Sequence, residues 1–194
     1  VKYMTYGYRL NVEQLMLRRA NNSFDEAKKR MVEVPDSVPE TGKPYSFKGP
    51  GFEDDETIAL CIEAILGWAI SFEAFVNLVW HAHPIAKEED EKSYGSTIAK
   101  LKKLYKNSRL PYGDSSWRAS IQDLFDMRNY LVHYKDPVVY IGFSFAAKFQ
   151  HDFSERSMQR IQRDVHFALK EIGGLFGVEA AFTNGNYDHL VYRY

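Results

Sequence analysis

Residues 58–80 constrain this chain more than any other stretch, because they are apolar almost all the way round a helical wheel. A helix without a polar face must be covered on several sides, so it belongs at the centre of a helical assembly. Its length would also let it cross a bilayer. Glu63, Glu73 and Asn77 interrupt the run, however, and such groups are expensive in hydrocarbon. The reading is a central helix of a soluble bundle, with no membrane as partner. Its expected span is 54–81: Asp54, Asp55 and Glu56 complement the helix dipole in the first turn, and Pro84 stops it.

Period and punctuation arrange the remaining elements around that helix. A first helix is expected over 11–33, with Asn11 as N-cap, Gln14 at the capping-box position and Asn21-Asn22-Ser23 as an interruption. Pro35 and Pro39 make 34–51 a loop. A charged connector over 87–92 leads to a short helix at 96–106, a turn at Pro111, Gly113 and Asp114, and a further helix at 115–134. Residues 138–149 are β-branched and aromatic, which predicts a short hairpin or extended loop. Ser154 as N-cap and Gly177 as a stop delimit the last long helix, 154–176.

The expected fold class is all-α: a four- to five-helix bundle with a short β-hairpin between the last two long helices. Residues 54–177 form the bundle, 1–53 add a helix and loop packed on it, and 178–194 are a C-terminal tail. With 45% hydrophobic residues, a chain of 194 residues can build one substantial core. The single cysteine, Cys61, cannot form an intrachain disulfide and lies in an apolar run, as a small buried hydrophobe would. A reducing compartment and the absence of a legible basic-then-apolar leader give the expectation of a cytoplasmic protein.

The chemistry concentrates on the helix at 115–134. On a wheel of about 100° per residue, Ile121, Leu124, Phe125, Leu131 and Val132 form an apolar stripe, and Arg128 falls near its middle. An unpaired buried charge is prohibitively costly. Arg128 must therefore meet a carboxylate, another subunit or an anionic ligand. Glu63 and Glu73 on the central helix are the carboxylates that sequence offers for a purely structural pair. His133 lies about 140° round the wheel from Arg128, so the two share a site only if the helix ends near His133 or a second chain completes it. Asn129 and His133, at i and i+4, do share a face, where an amide can orient an imidazole or bind a phosphate oxygen.

The text LFDMRNYLVHY over 124–134, an arginine followed by a polar residue and then by histidine at Arg-x4-His spacing, resembles the signature of the HEPN superfamily. SFEAFVNLV over 71–79 is similar to that family's earlier core helix. A rival pair at looser spacing, Arg160 and His166, lacks the polar residue after the arginine. The resemblance implies a metal-independent endoribonuclease without cofactor, working on RNA at a homodimer interface. It implies His133 as general acid and base, Arg128 on the phosphate, Asn129 as a positioning residue, and Glu73 and Asn77 as supporting residues. It further implies a toxin or antiviral-defence effector with a cognate inhibitor protein. The alternative is a non-catalytic HEPN-like module for dimerisation or for ligand or nucleic-acid binding.

Other features bear on that choice. Net charge is −1, which argues against bulk electrostatic attraction to nucleic acid and leaves only a local basic patch. Candidates are Lys100, Lys102, Lys103 and Lys106 with Arg109, and the row Arg156, Arg160 and Arg163, which occupies one helical face. Solvated surface is the plainer reading of both. Tyr130 and Tyr134 flank the motif and are placed either to stack on bases or to pack in the core. His81 and His83, two residues apart, have poor spacing for metal ligands on one helical face, so no metal site is expected.

Overall fold

The computed structural model describes residues 11–37, 45–87, 93–133 and 146–178. These residues are mostly helical. In chain order they form α1 (Val12–Arg30), a hairpin of β1 (Val32–Ser37) and β2 (Tyr45–Gly49), α2 (Asp55–Ala82), a 3-10 turn (Pro84–Lys87) and α3 (Thr97–Asn107). A second 3-10 turn (Tyr112–Asp114), α4 (Arg118–Val132), α5 (Lys148–Asp152) and α6 (Glu155–Phe176) complete them.

Helix limits follow local capping chemistry. Asp54 is the N-cap of α2 rather than its first residue, and its carboxylate accepts from Thr57 N at 3.0 Å and Thr57 Oγ1 at 2.6 Å. Those bonds hold the Asp54 carboxyl below its ordinary range. Ser96 caps α3 and Ser154 caps α6, while Gly177 ends α6 in the left-handed region at φ 64°. Asn11 stands at the start of α1 without the expected side-chain cap, and Gln14 is buried instead of closing a capping box.

The central position expected of α2 is observed. Trp68, Phe72, Phe75, Val76 and Trp80 are enclosed, and its neighbours contribute Phe24, Leu101, Ile121 and Ile161 to the same core. Among the described residues α2 is the one helix long and apolar enough to cross a membrane. Helix α1 lies close along it: a Cβ added at Gly67 would stand 2.8 Å from Ala20 Cβ. Residues of α1 (Leu17, Ala20, Phe24, Ala27) belong to this core rather than to an appendage.

Two expectations about local structure need correction. Asn21-Asn22-Ser23 does not interrupt α1, because tertiary partners take up its polar side chains. Asn21 Oδ1 accepts from Trp68 Nε1 at 2.9 Å and Gln162 Nε2 at 3.0 Å, and Ser23 Oγ donates to Glu63 at 3.0 Å. Secondly, a hairpin occurs where the end of the first helix (32–33) and a loop (34–51) were expected, pairing Val32 with Gly49 and Val34 with Phe47. Pro35 is tolerated because a two-stranded ribbon has only edge strands, and the register slips between Pro35 and Ser37.

Most of the hairpin expected over 138–149 lies outside the described residues, but Lys148 and Phe149 belong to α5. That short helix docks the observed hairpin. Gln150 Nε2 donates to Pro50 O at 2.9 Å, and His151 sits 3.1 Å from Asp36 Oδ1 with its ring 4.7 Å from Phe47.

Candidate functional site

The apolar stripe of α4 is buried only through its first half. Ile121, Leu124 and Phe125 are in the core, Arg128 and Leu131 are half-buried, and Val132 is 51% exposed. The last turn of α4 thus runs past the neighbours that cover its beginning. Arg128 is consequently not stranded in hydrocarbon. Its Nη1 donates to Asn129 Oδ1 at 2.9 Å.

The carboxylates that sequence offered go elsewhere. Glu63 accepts from Ser23 and lies 3.7 Å from Arg19. Glu73 is half-buried on α2, and among the described residues no hydrogen bond or ion pair joins it to Arg128. Asn77 Oδ1 accepts from Lys100 Nζ at 2.8 Å, so this residue is committed to the α2–α3 contact rather than to the motif.

His133 is the C-cap of α4 at φ −108° and ψ 31°, and its N–H donates to Asn129 O at 2.9 Å. The helix ends at His133, whose side chain is exposed. Because Asn129 Oδ1 is occupied by Arg128, its amide Nδ2 remains to donate outward. One helix end thus carries a guanidinium, an amide donor and an imidazole, the groups suited to a phosphodiester. Tyr134 lies outside the described residues.

The two candidate basic patches fare differently. Lys100 is a core-side residue, only 9% exposed, because α3 turns the face of Thr97, Leu101 and Leu104 toward α2. It is removed from any RNA track. Lys102, 6.0 Å from the Tyr112 ring, and Lys106 are exposed, Lys103 is half-buried, and Arg109 is exposed at φ 57°.

Arg156, Arg160 and Arg163 do share one open concavity of about 510 Å³ on α6. Arg160 is paired with Asp123 at 2.7 Å and Arg163 with Asp164 at 2.8 Å. Burial works against the charged form of Asp164, but hydrogen bonds from Arg163 and Ser120 outweigh it and keep its carboxyl below the ordinary range. A second concavity of about 350 Å³ adjoins the first, bringing Tyr130, Met127 and Lys148 together with Asp123, Asp126 and Asp152. The sequence reading missed these acidic partners. Lys148 and Asp152, at i and i+4, were legible, whereas Asp123 and Arg160 meet only through the packing of α4 on α6.

Three other side chains are accounted for structurally. His83 Nδ1 accepts from Ile85 N–H at 3.2 Å, and its Nε2 lies 3.2 Å from Ser108 Oγ, tying α2 to the end of α3. Burial pushes the Cys61 thiol up to about 12, which leaves no thiolate for chemistry. Nε2 of His166, the histidine of the rival pair, lies 3.1 Å from Asn21 Nδ2. Among the described residues no three His, Cys, Asp or Glu side chains form a group that could hold a metal ion. Compared with known proteins, the chain matches no family model, and no curated protein or solved structure matches it.

Proposed function

We propose that this chain is a metal-independent endoribonuclease of the HEPN type, working as a cytoplasmic homodimer with Arg128, Asn129 and His133 as its catalytic residues. One observation supports the reading: the three motif residues lie in the last turn and C-cap of α4, where Asn129 and His133 are exposed, and the described core uses none of their side chains. An arginine kept for stability would be buried against a carboxylate, whereas this one is held by a neighbouring amide.

In the proposed reaction the ribose 2′-oxygen attacks phosphorus as an imidazole takes its proton, and the 5′-oxygen leaves carrying a proton. Arg128 and the Asn129 amide offset the negative charge that gathers on the phosphate oxygens. The products are a 2′,3′-cyclic phosphate, or a 3′-phosphate after hydrolysis, and a 5′-hydroxyl. A role as a toxin or antiviral-defence effector, restrained by a cognate inhibitor protein, suits an activity that would harm its own cell.

The second reading is a non-catalytic module for dimerisation or ligand binding. Exposed Tyr130 and Val132 beside the motif, and the acidic partners of Arg160 and Arg163, favour it. The deciding experiment is RNA cleavage by wild type and His133→Ala, with and without EDTA. The enzyme reading expects chelator-resistant cleavage that His133→Ala abolishes while fold and mass are unchanged. Wild type that cuts no RNA with or without divalent metal rules it out.

A further inference from the structure

Helices α1 and α2 form a close pair with two sides. Glu13 O accepts from Ser71 Oγ at 2.6 Å, and Met16 O stands 3.2 Å from the position of a Cβ added at Gly67. The first turns of α1 therefore run beside residues 67–71. One side of the pair faces α6, where Asn21 meets Trp68, Gln162 and His166. Arg19 lies about 160° round α1 from Asn21, and with Ser23 it meets Glu63 on the other side.

That other side is apolar and open. Leu15 is 43% exposed and Ile70 39%, with Met16, Ile62 and Leu66 half-buried. Ile62, Leu66 and Ile70 follow one another at intervals of four residues, so they stay within about 80° on the solvent face of α2. Glu63, about 20° from Ile70, fixes this strip on the side that Arg19 reaches. A helix that is apolar all round has to be covered all round. Within one chain α1, α3, α4 and α6 pack against α2, and among the described residues this strip is what they leave.

The charges along its border indicate what covers it. Arg19 and Glu63 stand 3.7 Å apart, and Arg30 and Glu56 2.6 Å apart, so the border carries both signs. A strongly acidic or strongly basic partner would meet like charge as often as unlike. A second copy related by a two-fold axis can set the Arg19 of each chain toward the Glu63 of the other while the aliphatic strips meet.

We infer that two copies of this chain associate through the outer side of the α1–α2 pair, with the two α2 helices antiparallel about a two-fold axis near Leu66. Ile62 of one copy then lies against Ile70 of the other, as an isologous contact requires. The inference rests on the homodimer of the reading above and adds its face, which includes none of Arg128, Asn129 and His133.

The test is sedimentation equilibrium on the whole chain. Wild type should be dimeric at about 100 µM. Ile70→Glu, which places a carboxylate in the contact twice, should raise the dissociation constant at least about 30-fold while the far-UV circular dichroism spectrum is unchanged. Leu66→Cys tests the geometry separately. Near the axis its two copies come within reach of a disulfide, and the native Cys61, buried and with its thiol pushed up to about 12, does not compete. Mild oxidation should convert Leu66→Cys to a covalent dimer and leave Phe167→Cys, at an exposed position of α6, monomeric on non-reducing gels. The inference is overturned by monomeric wild type at that concentration. It is equally overturned by a dissociation constant for Ile70→Glu within about threefold of wild type, or by a Leu66→Cys cross-link no more complete than that of Phe167→Cys. Should Ile70→Glu fail to fold, the cross-link decides alone. Wild type that cleaves RNA but fails these association criteria loses this inference and keeps the ribonuclease reading. A dimer that meets them and cleaves no RNA has the reverse consequence.

Discussion

Replacing Arg128 by alanine distinguishes an arginine kept for stability from one kept for chemistry. Were the guanidinium buried against Glu63 or Glu73, its loss would strand a carboxylate and cost about 3–5 kcal/mol. Its observed partner is instead the adjacent Asn129, at an exposed site. Alanine would remove one such hydrogen bond, about 0.5–1.5 kcal/mol. It would also remove part of a half-buried stem, and a few tenths of a kcal/mol of helix propensity would come back. The net is about 1 kcal/mol. In a domain of this size that lowers Tm by about 2–4 °C, against about 6–20 °C for the buried pair. Thermal melts followed by circular dichroism read the difference directly. Cleavage of unmodified RNA, followed on gels under the same conditions, should fall at least about 100-fold, as for other lost transition-state donors. A drop in Tm of 10 °C or more would refute the reasoning about the helix end. Cleavage within threefold of wild type would refute the role on the phosphate.

Three further predictions follow from the packing. Asn21→Ala orphans the buried Trp68 Nε1 donor and should cost about 1–3 kcal/mol in urea unfolding. Trp68→Phe should then cost less in that background than in wild type, and equal costs would show that the bond is not coupled. Gly177→Ala forces a Cβ into the left-handed region at the end of α6 and should destabilise by about 1 kcal/mol, with an unchanged melting curve as the contrary result. Stability should also decline in two stages on acidification. Burial lowers the pKa of His166, so the unfolded chain binds the extra proton first, and stability complete above about pH 6.5 is lost as the pH falls below it. Asp54 and Asp164 are held below 3.8, so their contribution disappears only as the pH falls through that lower range. His166→Gln should remove the first stage and leave the second, as read from denaturation midpoints between about pH 2 and 8.

Much of the fold was legible because its determinants are local. Asp54, Ser96, Ser154 and Gly177 mark helix ends through hydrogen bonds to residues within a turn, and the apolar circumference of α2 announces a central helix whatever surrounds it. The hairpin was not legible, since Val32, Val34 and Phe47 pair across a segment whose prolines read as a loop. The motif was visible as a pattern, but the pattern misjudged its setting. A wheel assumes that the whole stripe is covered, and α4 outruns its cover after Phe125.

By itself, then, the sequence determined where most helices start and stop, which helix lies at the centre, and that Arg128, Asn129 and His133 come at the end of one of them. Only tertiary structure decided which charges are spent. It assigns Lys100 to Asn77, Arg160 to Asp123 and Glu63 to Ser23, and leaves Arg128 beside Asn129 in the open. The physical reason is range: caps and helical periods act over a few residues, whereas the partner of a long charged side chain depends on which distant surface the fold brings within about 3 Å.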